Sequence, residues 1–328
     1  MAQDPKKTVK RKSRADRRAA EAALAQAAAE KAAKERKQQT IIGAIAVAII
    51  VVLIAVAGIA VFNSVRKSAA EQAKANMSVS DAYNAVQQVS VKPERPDKKG
   101  GILISKDGYG KSVDNVPTIG IYMDFICPGC GSVNRQLDPT LIKMVDAGQI
   151  NLELHFLSFM DSYSTDDYSS RAANSALYIA DHDDDPSHLL EYVKNLYAEG
   201  FQPSEGSDYK SVSDDQLKEQ AVKAGVSQSV ADKAYGRDYQ DWLDAINTYT
   251  PKRSELLNTS GTYEGRFTTP TITINGTRWN LTDLSTAGLS ITDGFAESIG
   301  LDADKLGVEG ALPSIGADGK PISVTTGE

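Results

Sequence analysis

The chain has 328 residues, 41 % hydrophobic and 24 % charged, enough apolar material for a sizeable core and too much for global disorder or a collagen-like repeat. Two cysteines exclude a disulfide-stapled scaffold and a zinc site made of cysteines alone. The net charge of −7 hides an asymmetry: residues 1–40 carry twelve Lys/Arg against five Asp/Glu, whereas the other 288 residues carry 24 against 38.

Residues 41–62 contain no charged side chain. As a helix they span about 33 Å, enough to cross the hydrocarbon core of a bilayer. Their length and the basic leader before them fit a signal anchor better than a cleaved signal peptide. The positive-inside rule then puts residues 1–40 in the cytoplasm and 63–328 outside. Topology and anionic headgroups account for the basic leader, so the lipid bilayer is expected as a partner and nucleic acid is not.

Residues 63–101 read as a stalk and linker, polar and Ala-rich up to 91 and then KPERPDKKGG. GILISKDGYGKS predicts a short strand and a turn. PTIGIYMDFI (117–126) is nearly continuous and apolar, as suits a central strand buried on both faces. A helical pattern follows to about 147 with Gly148 as its stop, and INLELHFLSF (150–159) is a second strand. Residues 162–258 show only helical segments, one of them opened by a capping box, Ser213 with Gln216. TPTITING (269–276) predicts a strand closed by an Asn-Gly turn, with TRWNLTD as its hairpin partner, and a last helix covers about 292–299. The tail from 307 to 328, rich in Gly, Pro, Ser and Thr, is expected to be mobile. The order of elements suits a single α/β domain over 102–306 with a helical insertion at about 162–258.

Chemistry concentrates at Cys127-Pro128-Gly129-Cys130, where a buried strand runs into a helix. A spacing of three puts both sulfurs on the first helical turn, close enough to bridge. Cys127 would lie at the helix N-terminus, where dipole and free amides favour a thiolate, and is expected to be the exposed nucleophile. Pro128 suits the first turn because it has no N–H to satisfy. Cys130 would be the more buried, resolving thiol. Zinc is not expected, since there is no second Cys pair and only three histidines (His155, His182, His188). A purely structural disulfide would close too short a loop to stabilise much. Thr269-Pro270 opens a strand, a place where the missing N–H of proline is tolerated.

The acidic run DHDDDPSH invites comparison with a calcium loop. Asp181, Asp183 and Asp185 fit positions 1, 3 and 5, but Pro186 stands where the loop needs Gly and Tyr192 where it needs Glu. The run is expected to be an acidic loop leading into a helix, without metal.

DFICPGC, SSRAANSA and TTPTITING together resemble the thioredoxin-fold thiol–disulfide oxidoreductases, and most of all the membrane-anchored DsbA-like proteins of bacteria, over residues 102–299. The resemblance implies a thioredoxin-like fold with a helical insertion, preceded by a single N-terminal transmembrane helix. It makes Cys127 the attacking and Cys130 the resolving cysteine, and Pro128-Gly129 the dipeptide that tunes redox poise. It makes Pro270 a cis-proline beside the disulfide and Thr269 the residue whose backbone binds the substrate chain. Two positions depart from the family. Gly129 stands where DsbA-type oxidants often carry His, which stabilises the thiolate. Ile121 stands where many thioredoxin-fold proteins carry a buried acid, six residues before the first cysteine. Asp124 is the nearest acid and the candidate proton acceptor for Cys130, although strand alternation puts it on the opposite face from Ile121.

The implied activity is extracytoplasmic thiol–disulfide exchange on exported proteins that contain cysteines. It would run through a redox-active disulfide, with no metal or organic cofactor, and a membrane partner would recycle the enzyme. Disulfide donation is the leading direction. The alternatives are an extracytoplasmic reductase, or a non-catalytic thioredoxin-fold binding module at the cell surface.

Overall fold

The computed structural model describes residues 69–324. The leader 1–40 and the apolar segment 41–62 lie outside them. Among the described residues no helix is long and apolar enough to cross a membrane.

Two helices come first, α1 (Ala69–Asn76) and α2 (Val79–Gln88), the second capped by the Ser78 side chain on the Asp81 amide. A hairpin follows, β1 (Ile102–Ser105) and β2 (Gly108–Tyr109). The apolar run becomes β3 (Thr118–Asp124), buried at every position but the first. It leads through a short turn into α3 (Pro128–Asp146) and back along β4 (Asn151–Leu157). The insertion is helical as expected: α4 (Tyr168–His182), α5 (Pro186–Leu196), α6 (Asp214–Lys223), α7 (Gln228–Ala231) and α8 (Gln240–Tyr249). The capping box of Ser213 and Gln216 opens α6. The chain then returns as β5 (Thr271–Ile274) and β6 (Thr277–Trp279) and ends in α9 (Leu281–Ala287) and α10 (Ile291–Ile299).

The strands form one sheet in the order β2-β1-β4-β3-β5-β6. β3 and β4 are parallel, as the crossover through α3 requires. In that ladder Ile121 lies opposite Leu154; the other pairs are antiparallel, with Ile121 opposite Ile272 of β5. Asn275 and Gly276 both have positive φ (50° and 74°), the geometry an Asn-Gly hairpin turn needs. β6 is shorter than TRWNLTD suggests because the Asn280 side chain caps the Thr282 amide and starts α9. α3 and α10 pack together, while α4 and α8 both pack against β4.

Two segments differ from their sequence-based expectation. The stretch expected as stalk and linker is docked from α2 onwards. Ala82 and Val86 are buried, and Tyr83 packs on Tyr249 of α8 at 5.4 Å between ring centroids. The last turn of α4 holds the rest: the Asp181 carboxylate accepts from the Glu94 amide (2.8 Å), the Arg95 amide (3.0 Å) and the Tyr239 hydroxyl (2.8 Å). Arg95 lies over the Tyr109 ring at 4.5 Å and pairs with Asp184. The tail expected to be mobile is strapped down through residue 324. The Gln149 amide nitrogen reaches the carbonyls of Lys305, Val308 and Ala311 at 2.7–3.0 Å. Asn275 bonds the Gly316 and Gly319 carbonyls while accepting from the Thr118 amide. In both segments side chains satisfy backbone groups, so irregular chain packs without a regular element.

Asp181→Ala leaves the half-buried Arg95 amide and the Tyr239 hydroxyl without their acceptor, along with the exposed Glu94 amide. It is expected to destabilise the fold by about 2–3 kcal/mol, read by urea unfolding, and to open residues 89–101 to limited proteolysis.

Candidate active site

The site is built where β3 ends. Cys127 is the N-cap of α3, Pro128 fills the first helical position, and Cys130 lies one turn in. The Cys127 amide donates to the Asp124 carbonyl at 3.0 Å, and the Cys127 carbonyl accepts from the Gly131 amide at 3.2 Å, so the turn and the helix start are one hydrogen-bonded unit. Both cysteines are free thiols in this structure. β5 lies beside β3 and brings up the Thr269–Pro270 peptide, which is cis. The Cys127 thiol donates to the Thr269 carbonyl at 3.5 Å. The structure therefore brings together all the residues singled out by the two motifs.

One expectation is corrected. Cys127 is not exposed: its relative accessibility is 0 %, against 3 % for Cys130. The Thr269–Pro270 turn lies against its sulfur, and the loop after α5 lies across the helix start. From that loop Gln202 donates to the carbonyls of Phe125 (3.1 Å) and Cys127 (2.9 Å). Arg135 of α3 holds the loop in turn, donating to the Tyr197 carbonyl at 2.7 Å and the Gln202 side chain at 3.3 Å. Gly131 makes room for it, since a Cβ there would fall 2.0 Å from the Gln202 oxygen.

Asp124 is fully buried on the face of the sheet away from α3. Its Oδ1 accepts from the Ile126 amide (3.3 Å) and the Ser169 hydroxyl, and its Oδ2 from the Met160 amide (3.0 Å). Burial outweighs these bonds and pushes its carboxyl up to about 7. The Cys130 thiol is pushed well above its ordinary value, by burial first and then by Cys127 beside it. Thr269 is buried, and its hydroxyl has no partner among the described residues.

Several residues at the site carried no motif. Ser169 lies in the quoted SSRAANSA, but nothing local marks it as a partner of Asp124. Tyr197 donates from its hydroxyl to the Asp124 carbonyl at 3.0 Å and stacks on Phe125 at 5.3 Å. Gln202 and Tyr197 lie more than 70 residues from the motif they touch, and no spacing rule reaches that far. Among the described residues no group of His, Cys, Asp and Glu is placed to hold a metal ion, and the acidic run at 181–188 serves the contacts given above.

Two thiols on the first turn of a helix, closed by a cis-proline peptide from the neighbouring strand, define a protein thiol–disulfide oxidoreductase. A family model described as thioredoxin matches residues 110–287, and the chain belongs to that family. Among solved structures, the reduced DsbA of Mycobacterium tuberculosis is 26 % identical, with 55 % of this chain and 85 % of that one covered and a TM-score of 0.43. MdbA of Corynebacterium diphtheriae, a thiol-disulfide oxidoreductase, is 20 % identical over 62 % of this chain and 98 % of that one, with a TM-score of 0.45. Oxidised BdbD of Bacillus subtilis is 18 % identical over 60 % and 92 %, with a TM-score of 0.40. A curated relative, the serine/threonine-protein kinase PknE of Mycobacterium tuberculosis, is 33 % identical over 91 residues, which are 27 % of this chain and only 16 % of the kinase.

Two outcomes are expected. Gln202→Ala frees the loop over the helix start, so iodoacetamide labelling of Cys127 in the reduced protein rises several-fold, read by mass spectrometry. A carboxyl whose folded-state pKa lies above its unfolded value favours the folded state while protonated. The stability Asp124 contributes is therefore full below about pH 4 and is lost as pH rises through about 7. Asp124→Asn removes that loss, flattening the fall in unfolding free energy from pH 4 to 8 by on the order of 4 kcal/mol.

Proposed function

We propose that this protein exchanges disulfides with cysteine-containing exported proteins on the outer side of a membrane, and that it acts as a disulfide donor. The observation that carries the reading is the Cys127–Cys130 pair at the start of α3, set against the cis Thr269–Pro270 peptide. In the donor cycle a substrate thiolate attacks the Cys127 sulfur of the enzyme disulfide. The Cys127–Cys130 bond breaks and Cys130 leaves as a thiolate that takes up a proton. A second substrate thiolate then attacks the substrate sulfur of the mixed disulfide, and Cys127 leaves. The substrate has lost two electrons, the enzyme has gained them as a dithiol, and a membrane partner removes them. A negative charge released at Cys127 falls at the positive end of the α3 dipole, which favours the dithiol state and so an oxidising disulfide.

The thiol at Cys127 is covered, so the substrate chain must displace the loop that carries Gln202 before it lies along Thr269. The uncharged segment 41–62 and its basic leader support anchoring to the membrane, N-terminus inside, with residues 63–328 outside. The docked α2 then keeps the catalytic domain close to that anchor. Gly129 favours the second reading, an extracytoplasmic reductase, because it supplies no side chain to stabilise the reduced form. There Cys127 attacks a substrate disulfide and Cys130 releases the product.

The test is the equilibrium potential of the Cys127–Cys130 pair in the full chain in detergent, titrated against glutathione and read by alkylation mass shift. A potential well above the glutathione couple is expected; one near thioredoxin's makes the protein a reductase. Cys127→Ala should abolish exchange in either direction, and Cys130→Ser should trap mixed disulfides with substrate; unchanged exchange in Cys127→Ala sinks both readings.

A further inference from the structure

The Asn-Gly turn between β5 and β6 closes the hairpin, but Asn275 does more than turn the chain. Its Oδ1 accepts from the Thr118 amide at 2.8 Å, and its own backbone amide donates to the Thr118 carbonyl at 2.8 Å. Its Nδ2 donates twice, to the carbonyls of Gly316 (3.0 Å) and Gly319 (2.8 Å) in the tail. One side chain therefore joins the start of β3, the hairpin and the tail. The tail turn it holds is closed by the Gly319 amide on the Ile315 carbonyl at 3.0 Å. That turn is pinned beside the end of α10, where the Ser314 amide donates to the Gly300 carbonyl (3.1 Å) and the Ile322 amide to the Ser298 carbonyl (2.8 Å).

The same dipeptide is the chemically least durable one in the chain. An asparagine side chain is open to attack at Cγ by the backbone nitrogen of the next residue, and glycine, with no Cβ, shields that nitrogen least. Asn275-Gly276 is the only Asn-Gly in the 328 residues. Gly276 is exposed, and a Cβ built on it would meet nothing within 4 Å. What opposes the reaction is the grip on the side chain. All three hydrogen bonds of its amide hold Cγ towards Thr118 and the tail, and both residues are fixed at left-handed φ, 50° and 74°. Ring closure needs the side chain free to turn onto the Gly276 nitrogen, so it waits for the tail and the turn to open together.

We propose that Asn275 is a latent deamidation site guarded by the tail: while residues 314–322 hold its amide it stays asparagine, and once they let go it converts irreversibly to aspartate or isoaspartate. In the step the Gly276 nitrogen loses its proton and bonds to Cγ. The Cγ–Nδ2 bond breaks, and ammonia leaves with the proton. Water then opens the five-membered imide at either carbonyl, which gives aspartate from one side and isoaspartate from the other. The product is not gripped again, because a carboxylate has no N–H to offer the Gly316 and Gly319 carbonyls. The isoaspartate form also adds a carbon to the backbone of a two-residue turn, whose length fixes the register of Ile274 on Thr277. The site is a one-way latch: a tail that has stayed open long enough does not close again. It goes beyond the exchange chemistry, since Asn275 and Pro270 flank β5 at opposite ends.

The test follows the tryptic peptide of residues 267–278, which gains a mass unit on deamidation, in the full-length chain in detergent at neutral pH. The synthetic peptide of the same sequence gives the unguarded rate. The protein should convert more slowly than the peptide by about a hundred-fold. Gly319→Ala puts a Cβ 2.3 Å from the Ile315 carbonyl oxygen and forces the tail turn apart. It should speed conversion by about ten-fold, with Cys127 still shielded from iodoacetamide as proof of fold. Should that variant fail to fold, urea well below the unfolding midpoint replaces it: conversion and subtilisin cleavage of residues 305–322 should rise together in the unsubstituted chain. Asn275→Asp should be cleaved in the tail several-fold faster than the unsubstituted chain. The proposal falls if the intact protein converts at the peptide's rate, if loosening the tail leaves conversion unchanged, or if conversion tracks only global unfolding. Tail cleavage unchanged in Asn275→Asp overturns the latch.

Discussion

Asp124 sits where the sheet, the start of α3 and the helical block meet, and its polar groups bond to all three. Its carbonyl accepts the Cys127 amide and the Tyr197 hydroxyl, and its carboxyl accepts from Ile126, Met160 and Ser169. Burying a carboxyl costs several kcal/mol unless donors meet it, so these partners are fixed in place by the need to satisfy it. The turn that presents the thiols is held from below by that network and from above by Gln202. Removing either side frees the turn without touching a sulfur.

Much of this was legible in the chain of residues. β3 and β4 announce themselves as apolar runs, the hairpin by Asn-Gly, and the reactive pair by Cys-Pro-Gly-Cys, because each signal is local and periodic. What was not legible depends on single side chains meeting distant backbone. Asp181 docks residues 94–95, Gln149 and Asn275 strap the tail, and Gln202 bonds the Phe125 and Cys127 carbonyls. Composition made these segments look loose because Pro, Gly and charge mark irregular chain, and irregular chain is still packed when its amides find acceptors.

The two halves of the reactive site lie 142 residues apart, since the Cys127 thiol meets the Thr269 carbonyl only after the whole helical block has been traversed. A ribosome delivers the dithiol long before the strand that covers it. While the chain is being made, β3 has β4 on one side and an open edge on the other, waiting for β5. The thiols are then bare in a nascent chain, and the site is sealed only when the last quarter arrives. Long-range pairing of this kind is slow to form. The helical block is therefore also a delay, and its length sets how long newly made Cys127 and Cys130 face whatever oxidant or thiol surrounds them before the fold closes over them.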